Sequence, residues 1–189
     1  MRSDIAAYFL LFRDKGVPKQ RPLAQCYNGL MRFVADCMLG KLAKWLRMLG
    51  YDTVYIADAD DDELVRVAVR EDRILLTRDT RLCERRMVRK RCVFVNWGAT
   101  SEQVRQVFSE LGLRLDREFL FTRCTICNSE ITPLEKPEVK GRVPPYVFQT
   151  QAQYGYCSAC DKIYWRGTHV QHVLEALATQ SRGQRAESR

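Results

Sequence analysis

Asp58-Ala-Asp-Asp-Asp-Glu-Leu-Val-Arg-Val-Ala-Val-Arg-Glu-Asp-Arg-Ile-Leu-Leu-Thr-Arg-Asp79 crowds five acids into its first six positions, in a chain whose formal net charge is +8. Crowded carboxylates repel one another, and a fold that gathers them neutralises them with a cation or by protonation. Leu64, Val65, Val67, Ala68 and Val69 recur at a spacing that predicts a helix opening near Asp61. Arg73 to Thr77 then reads as a buried strand, with Asp79 just past its carboxyl end. The plainer account of these acids is capping, since carboxylates in a first turn accept free N–H groups and offset the helix dipole. Chemistry requires several of them to converge.

Working outward, Met31 to Asp36 reads as a first strand ending on a carboxylate. Met38, Leu39, Leu42, Ala43, Trp45, Leu46, Met48 and Leu49 follow at helical spacing, Lys41, Lys44 and Arg47 occupy another face, and Gly50 stops the helix. Tyr51 to Ile56 is a second strand and Ile74 to Thr77 a third. A helix is expected from Thr80 to about Lys90, then a fourth strand over Cys92 to Asn96. Ser101 is the expected N-cap of a last helix that ends at Gly112. Strands alternating with helices predict an α/β fold with a parallel sheet and right-handed crossovers. Ligands of such sheets gather at the carboxyl ends of the strands. Asp36, Asp79 and the Asp61–Asp62 pair all fall on that rim; Asp52, at the start of the second strand, falls on the opposite one and reads as structural.

The bulk numbers set bounds. The 189 residues suffice for one good domain plus a small one, and no apolar run approaches a membrane span. Residues 1–30 read as a short helix and a linker holding Gly16, Pro18 and Pro22; Ile5 to Phe12 is too short and too poorly flanked for a signal peptide. The basic balance, with a pI near 9.2, favours a polyanionic partner. Four of the eight cysteines stand singly (Cys26, Cys37, Cys83, Cys92) and are expected as free thiols of a reducing compartment, cytoplasm or nucleus. The other four form Cys124-Thr-Ile-Cys127 and Cys157-Ser-Ala-Cys160, which suit one tetrahedral Zn²⁺; with all four positions filled the metal is structural. Thioredoxin-like redox chemistry is the alternative for such pairs. Tyr154, Tyr156, Tyr164 and Trp165 are expected to pack the small ribbon more than to stack bases. His169 and His172 read as surface residues, and 171–189 as a last helix with a basic, disordered tail.

Phe33-Val-Ala-Asp36, Leu39-Gly-Lys-Leu-Ala-Lys-Trp-Leu-Arg-Met-Leu-Gly-Tyr-Asp-Thr53, Asp61-Asp-Glu-Leu64 and Ile74-Leu-Leu-Thr-Arg-Asp79 together resemble the C-terminal RNase domain of the mut-seven exonuclease family. The resemblance runs from about Met31 to His169. It implies a PIN-like nuclease domain over 31–117 and an appended four-cysteine zinc ribbon over 118–170. It also implies hydrolysis of RNA with Asp36, an acid of the Asp61–Asp62 pair, and Asp79 holding Mg²⁺ or Mn²⁺. Such chemistry suits hard oxygen ligands that leave waters on the ion, so no histidine is needed. The RNA is expected to be single-stranded and no membrane is involved. Larger family members carry an exonuclease domain upstream, so a longer parent chain or a short form is expected. Arg78, Arg81, Arg85, Arg86 and Arg89, extended by Lys41 and Lys44, are the candidate contacts to the RNA backbone, against the plainer reading of a solvated charged face. The competing function is a non-catalytic RNA-binding module in which the acids are only caps.

Overall fold

The computed structural model describes residues 31–116, 118–165, 167 and 174; the expectations for 1–30, Cys26, His169, His172 and the 171–189 tail lie outside them. Four short parallel strands, β1 (Arg32–Ala35), β2 (Asp52–Tyr55), β3 (Ile74–Thr77) and β4 (Cys92–Phe94), form one sheet in the order β2-β1-β3-β4. Val34 stands opposite Val54 on one side and Leu75 on the other. Phe33, Val34 and Ala35 are fully buried, as expected of a strand covered on both faces.

Alternation along the strands sorts the helices. Phe33, Ala35, Leu76 and Val93 share one core with Leu42 and Leu46 of α1 (Gly40–Met48) and with Val104 and Val107 of α4 (Thr100–Leu111). Val34 and Leu75 point the other way, into a core with Leu64, Val65, Val67 and Ala68 of α2 (Asp61–Arg70) and Leu82 of α3 (Thr80–Glu84). Each such buried aliphatic side chain contributes roughly 1.5–3 kcal/mol.

Three local expectations are corrected. Helix α3 ends at Glu84, because Arg85 leaves the helical region with ψ 128° and no apolar stripe follows to hold a longer helix; residues 85–91 turn instead. That turn returns the chain to β4 with Cys83 and Cys92 5.4 Å apart at Cα, and these two cysteines form a disulfide instead of remaining free; Cys37 is free. Helix α4 begins one residue before Ser101, and the Glu102 carboxylate accepts the Ala99 N–H in place of a Ser101 cap.

A second sheet, antiparallel, contains β5 (Thr132–Leu134), β6 (Tyr154–Cys157) and β7 (Lys162–Trp165) in that order. Its small core is Val139, Val143, Val147 and Tyr154, with α5 (Pro145–Thr150) supplying Val147. Tyr154 packs and donates to the Val147 carbonyl, Tyr156 donates to Asp161, Tyr164 bonds Cys124 Sγ, and Trp165 packs on the core, so these rings are used internally.

The join between the sheets is polar and buried. Gly50, at φ +94°, lets Phe119 approach so closely that a Cβ there would meet its carbonyl oxygen at 2.3 Å, and Phe121 N–H then bonds the Met48 carbonyl. Arg47, expected on the exposed basic face, is buried: it donates to the carbonyls of Thr53, Thr125 and Ile126. Three backbone carbonyls converging on one guanidinium explain why a charge is tolerated there. Asn128 accepts from Thr53 N–H (3.0 Å) and donates to Asp52 (2.7 Å), whose carboxylate also receives two nitrogens of Arg73. Asp52 is therefore a structural residue.

Asn128→Ala leaves the buried Thr53 N–H unpaired and is expected to cost about 1–3 kcal/mol; denaturant unfolding indistinguishable from wild type would show that the join is not stabilising. Burial alone would raise the Asp52 carboxyl, but Arg73 and Asn128 hold it below its ordinary value. Its contribution is thus full above the unfolded carboxylate range near pH ~4 and lost as pH falls through the folded value. The stability gap between wild type and Asp52→Asn should narrow below about pH 4; a gap independent of pH would refute the linkage.

Candidate functional site

Sheet order places the acids. The neighbours β1 and β3 leave the sheet at the same rim, where the strand order reverses, and Asp36 and Asp79 follow them. Asp36 is tied there by its N–H to the Leu76 carbonyl (3.0 Å). Thr77, wholly buried, then links the two acids: its hydroxyl donates to Asp36 Oδ2 at 2.6 Å and accepts the Asp79 N–H at 3.0 Å. A hydroxyl has one proton to give and lone pairs to receive, so both bonds are made without conflict. Hydrogen bonding with the Asp36 carboxylate, together with partial burial, holds the neighbouring Cys37 thiol above its ordinary value.

The other acids are partly spent on structure. Asp60 caps α2 by accepting Glu63 N–H at 2.7 Å. Asp79 Oδ1 caps α3, accepting from Arg81 and Leu82 N–H groups. Asp61 and Asp62 open α2 and both pair with Arg85. The Asp62 hydrogen bond first, then the charges of Asp62, Asp61 and Asp79, hold that guanidinium above its ordinary range. Arg85 thus pairs with the acids while staying partly exposed. Among the described residues no basic side chain forms an ion pair with Asp36 or Asp79. Lys41, Lys44, Arg81, Arg86 and Arg89 are exposed, and Arg78 is half-buried with its guanidinium over the Trp97 ring.

The second site is closed. The sulfurs of Cys124, Cys127, Cys157 and Cys160 all lie within 4.8 Å of one another, and among the described residues this is the one group of three or more His, Cys, Asp or Glu side chains so converged. Burial opposes a Cys127 thiolate, but hydrogen bonding to Ser129 brings the thiol down to about 6. Hydrogen bonding with Cys127, then burial, pushes Cys160 up to about 12, and burial with the Cys127 contact raises Cys157. Burial opposes a Cys124 thiolate too, but hydrogen bonds from backbone N–H groups and Tyr164 hold it below its ordinary value; a bound cation favours all four thiolates together, so the donor set is compatible with Zn²⁺. The rim acids do not form such a converged group; they offer hard carboxylate oxygens, the donor chemistry of Mg²⁺ or Mn²⁺, with the exposed Cys37 thiol beside Asp36.

Residues 31–177 match the family model described as Mut7-C RNAse domain. The chain belongs to that family. No curated protein matches it. Mut7-C membership makes this a ribonuclease domain, with RNA as its class of substrate. It is a mixed α/β protein with a parallel four-strand sheet and a clustered four-cysteine unit, as the sequence led us to expect. No helix among the described residues is long and apolar enough to cross a membrane.

What sequence reading missed in this Mut7-C site is Thr77 as the link, Arg85 as an internal counterion and Trp97 beside the rim. Only Thr77 had a signal, a lone polar residue closing an otherwise apolar strand. Thr77→Val keeps the shape and deletes the hydroxyl, orphaning Asp36 Oδ2 and Asp79 N–H; stability should fall by about 1–3 kcal/mol. An unchanged urea midpoint would mean that the two acids are fixed by the backbone alone.

Proposed function

We propose that the protein hydrolyses RNA phosphodiester bonds with Mg²⁺ or Mn²⁺ held at the β1–β3 rim by Asp36, Asp79 and an acid of the Asp61–Asp62 pair. The observation that carries this reading is the Asp36–Thr77–Asp79 link, which orients the Asp36 carboxylate and anchors the Asp79 backbone, the two acids being in no ion pair among the described residues, beside the point where strand order reverses. When bound, such ions activate a water and neutralise charge on the reacting phosphoryl group. Asp36 is positioned by Thr77 and by its own N–H bond to β3, so its orientation is set before any ligand arrives. Asp79 offers Oδ2 while Oδ1 stays on the α3 cap. Arg85 offsets the repulsion between Asp61 and Asp62, the acids that would hold a cation in its place. Lys41, Lys44, Arg81, Arg86 and Arg89 lie exposed, and with Arg78 they supply the charge that holds a phosphate backbone. Cys124, Cys127, Cys157 and Cys160 hold one structural Zn²⁺. An intracellular setting remains part of the proposal, resting on the zinc thiolates; the Cys83–Cys92 disulfide weighs against it.

A second reading, a non-catalytic RNA-binding module, is favoured by the caps of Asp60 and Asp79 and by the Arg85 pairing. Asp79→Asn separates the two, because Asn caps helices as well as Asp does. Cleavage of end-labelled single-stranded RNA with Mn²⁺ should fall below about one hundredth of wild type, the scale on which a lost charge-stabilising group acts. EDTA should stop the wild-type reaction, and the variant should keep its melting temperature and one zinc per chain. Wild-type turnover in both Asp36→Asn and Asp79→Asn would leave the module reading.

A further inference from the structure

Beside the acids lies a cavity of about 640 Å³ whose lining includes Met38, Lys41, Arg78, Trp97 and Thr100, and no acidic residue. Two of its lining residues are close to the site acids in the chain: Met38 lies two residues after Asp36, and Arg78 directly precedes Asp79. Trp97 is 76% exposed and Met38 51%, large apolar surfaces at the edge of a charged rim. The Arg78 guanidinium lies 4.2 Å from the centroid of the Trp97 ring and covers one face of it. Most of the indole is left to solvent. Arg78 Nε is itself buried and has no hydrogen-bond partner among the described residues, so this side chain retains an unused donor. Ala99 N–H is already taken by Glu102, and the cationic side chains that line the cavity are Arg78 and Lys41.

An exposed indole backed by a guanidinium is a stacking platform, and two cations without a carboxylate among them suit a phosphate. Resting on the ribonuclease reading above, we propose that this cavity seats one unpaired nucleotide of a single-stranded RNA, its base stacked on Trp97 and its phosphate held by Arg78 and Lys41. The strand would thereby be delivered with its next phosphate toward Asp36 and Asp79. A base within a duplex has both faces covered by its neighbours and cannot enter, so the subsite selects single strands.

The test is binding of a fluorescein-labelled mixed-sequence RNA, single-stranded or annealed to its complement, followed by anisotropy in zinc-loaded protein carrying Asp36→Asn, without added Mg²⁺ or Mn²⁺, so that cleavage plays no part. Trp97→Ala should weaken single-strand binding about tenfold, the scale of one lost base stack, and leave duplex binding and the salt slope unchanged. Trp97→Phe should recover most of the loss. Arg78→Ala and Lys41→Ala should each flatten the salt dependence by about one phosphate contact. Because Trp97 is exposed, the melting temperature serves as the control for folding. Wild-type affinity in Trp97→Ala, or equal weakening on single strand and duplex, overturns the subsite while leaving the ribonuclease reading intact. A wild-type protein that binds neither RNA overturns the subsite and removes the support that RNA binding lends to that reading. Loss of cleavage in Asp79→Asn with Trp97-dependent binding intact would uphold both.

Discussion

The double pairing of β1 is the constraint from which the rest follows. With β2 on one side and β3 on the other, Phe33 to Ala35 are buried on both faces, and Asp36 emerges next to the end of β3. A carboxylate placed there would be costly without partners. Thr77 and the Leu76 carbonyl supply them, through the side chain and backbone of Asp36 respectively. The same two residues belong to β3, so the pairing that builds the core also positions the candidate site.

Charge on the rim is balanced in two ways. Asp61 and Asp62 have a resident cation in Arg85, which is partly exposed and reaches them from a turn. Among the described residues Asp36 and Asp79 are in no ion pair: hydrogen bonds orient them, and Asp79 also feels the charge of Arg85. The cap on α3 uses only Oδ1 of Asp79. The capping argument weakens the inference from any single acid, yet it explains how the acid is aimed.

How much of this was legible in the chain varies with the range of the interactions. The strands and α1, α2 and α4 could be read because a repeating apolar face is a local signal, and the rim followed from strand order. Helix α3 was overextended because Arg85, Arg86 and Arg89 suit a helix by propensity, and only the missing apolar stripe argued otherwise. Arg47 looked like its neighbours Lys41 and Lys44, since nothing nearby announces that carbonyls of Thr125 and Ile126, far along the chain, will enclose it. The Cys83–Cys92 bond depends on the same misjudged turn. Trp97 stands outside every periodic pattern, so its position could only be seen once the rim was built.

Helix α1 gives the acidic rim and the four-cysteine unit a mechanical relation. It starts at the rim with Gly40 and Lys41 and ends at Arg47 and Met48, which grip the cysteine knuckle and the segment leading to it. The knuckle's Asn128 in turn holds the first residues of β2, at the opposite rim from the acids. The four-cysteine unit thus contributes no side chain to the candidate nuclease site, and it has no free ligand position if zinc fills it. Its influence must pass through packing: Arg47 fixes one end of α1 and Asn128 fixes the start of β2. Both elements lie directly against β1. A closed thiolate site on one rim can in this way stiffen the strand from which Asp36 emerges on the other.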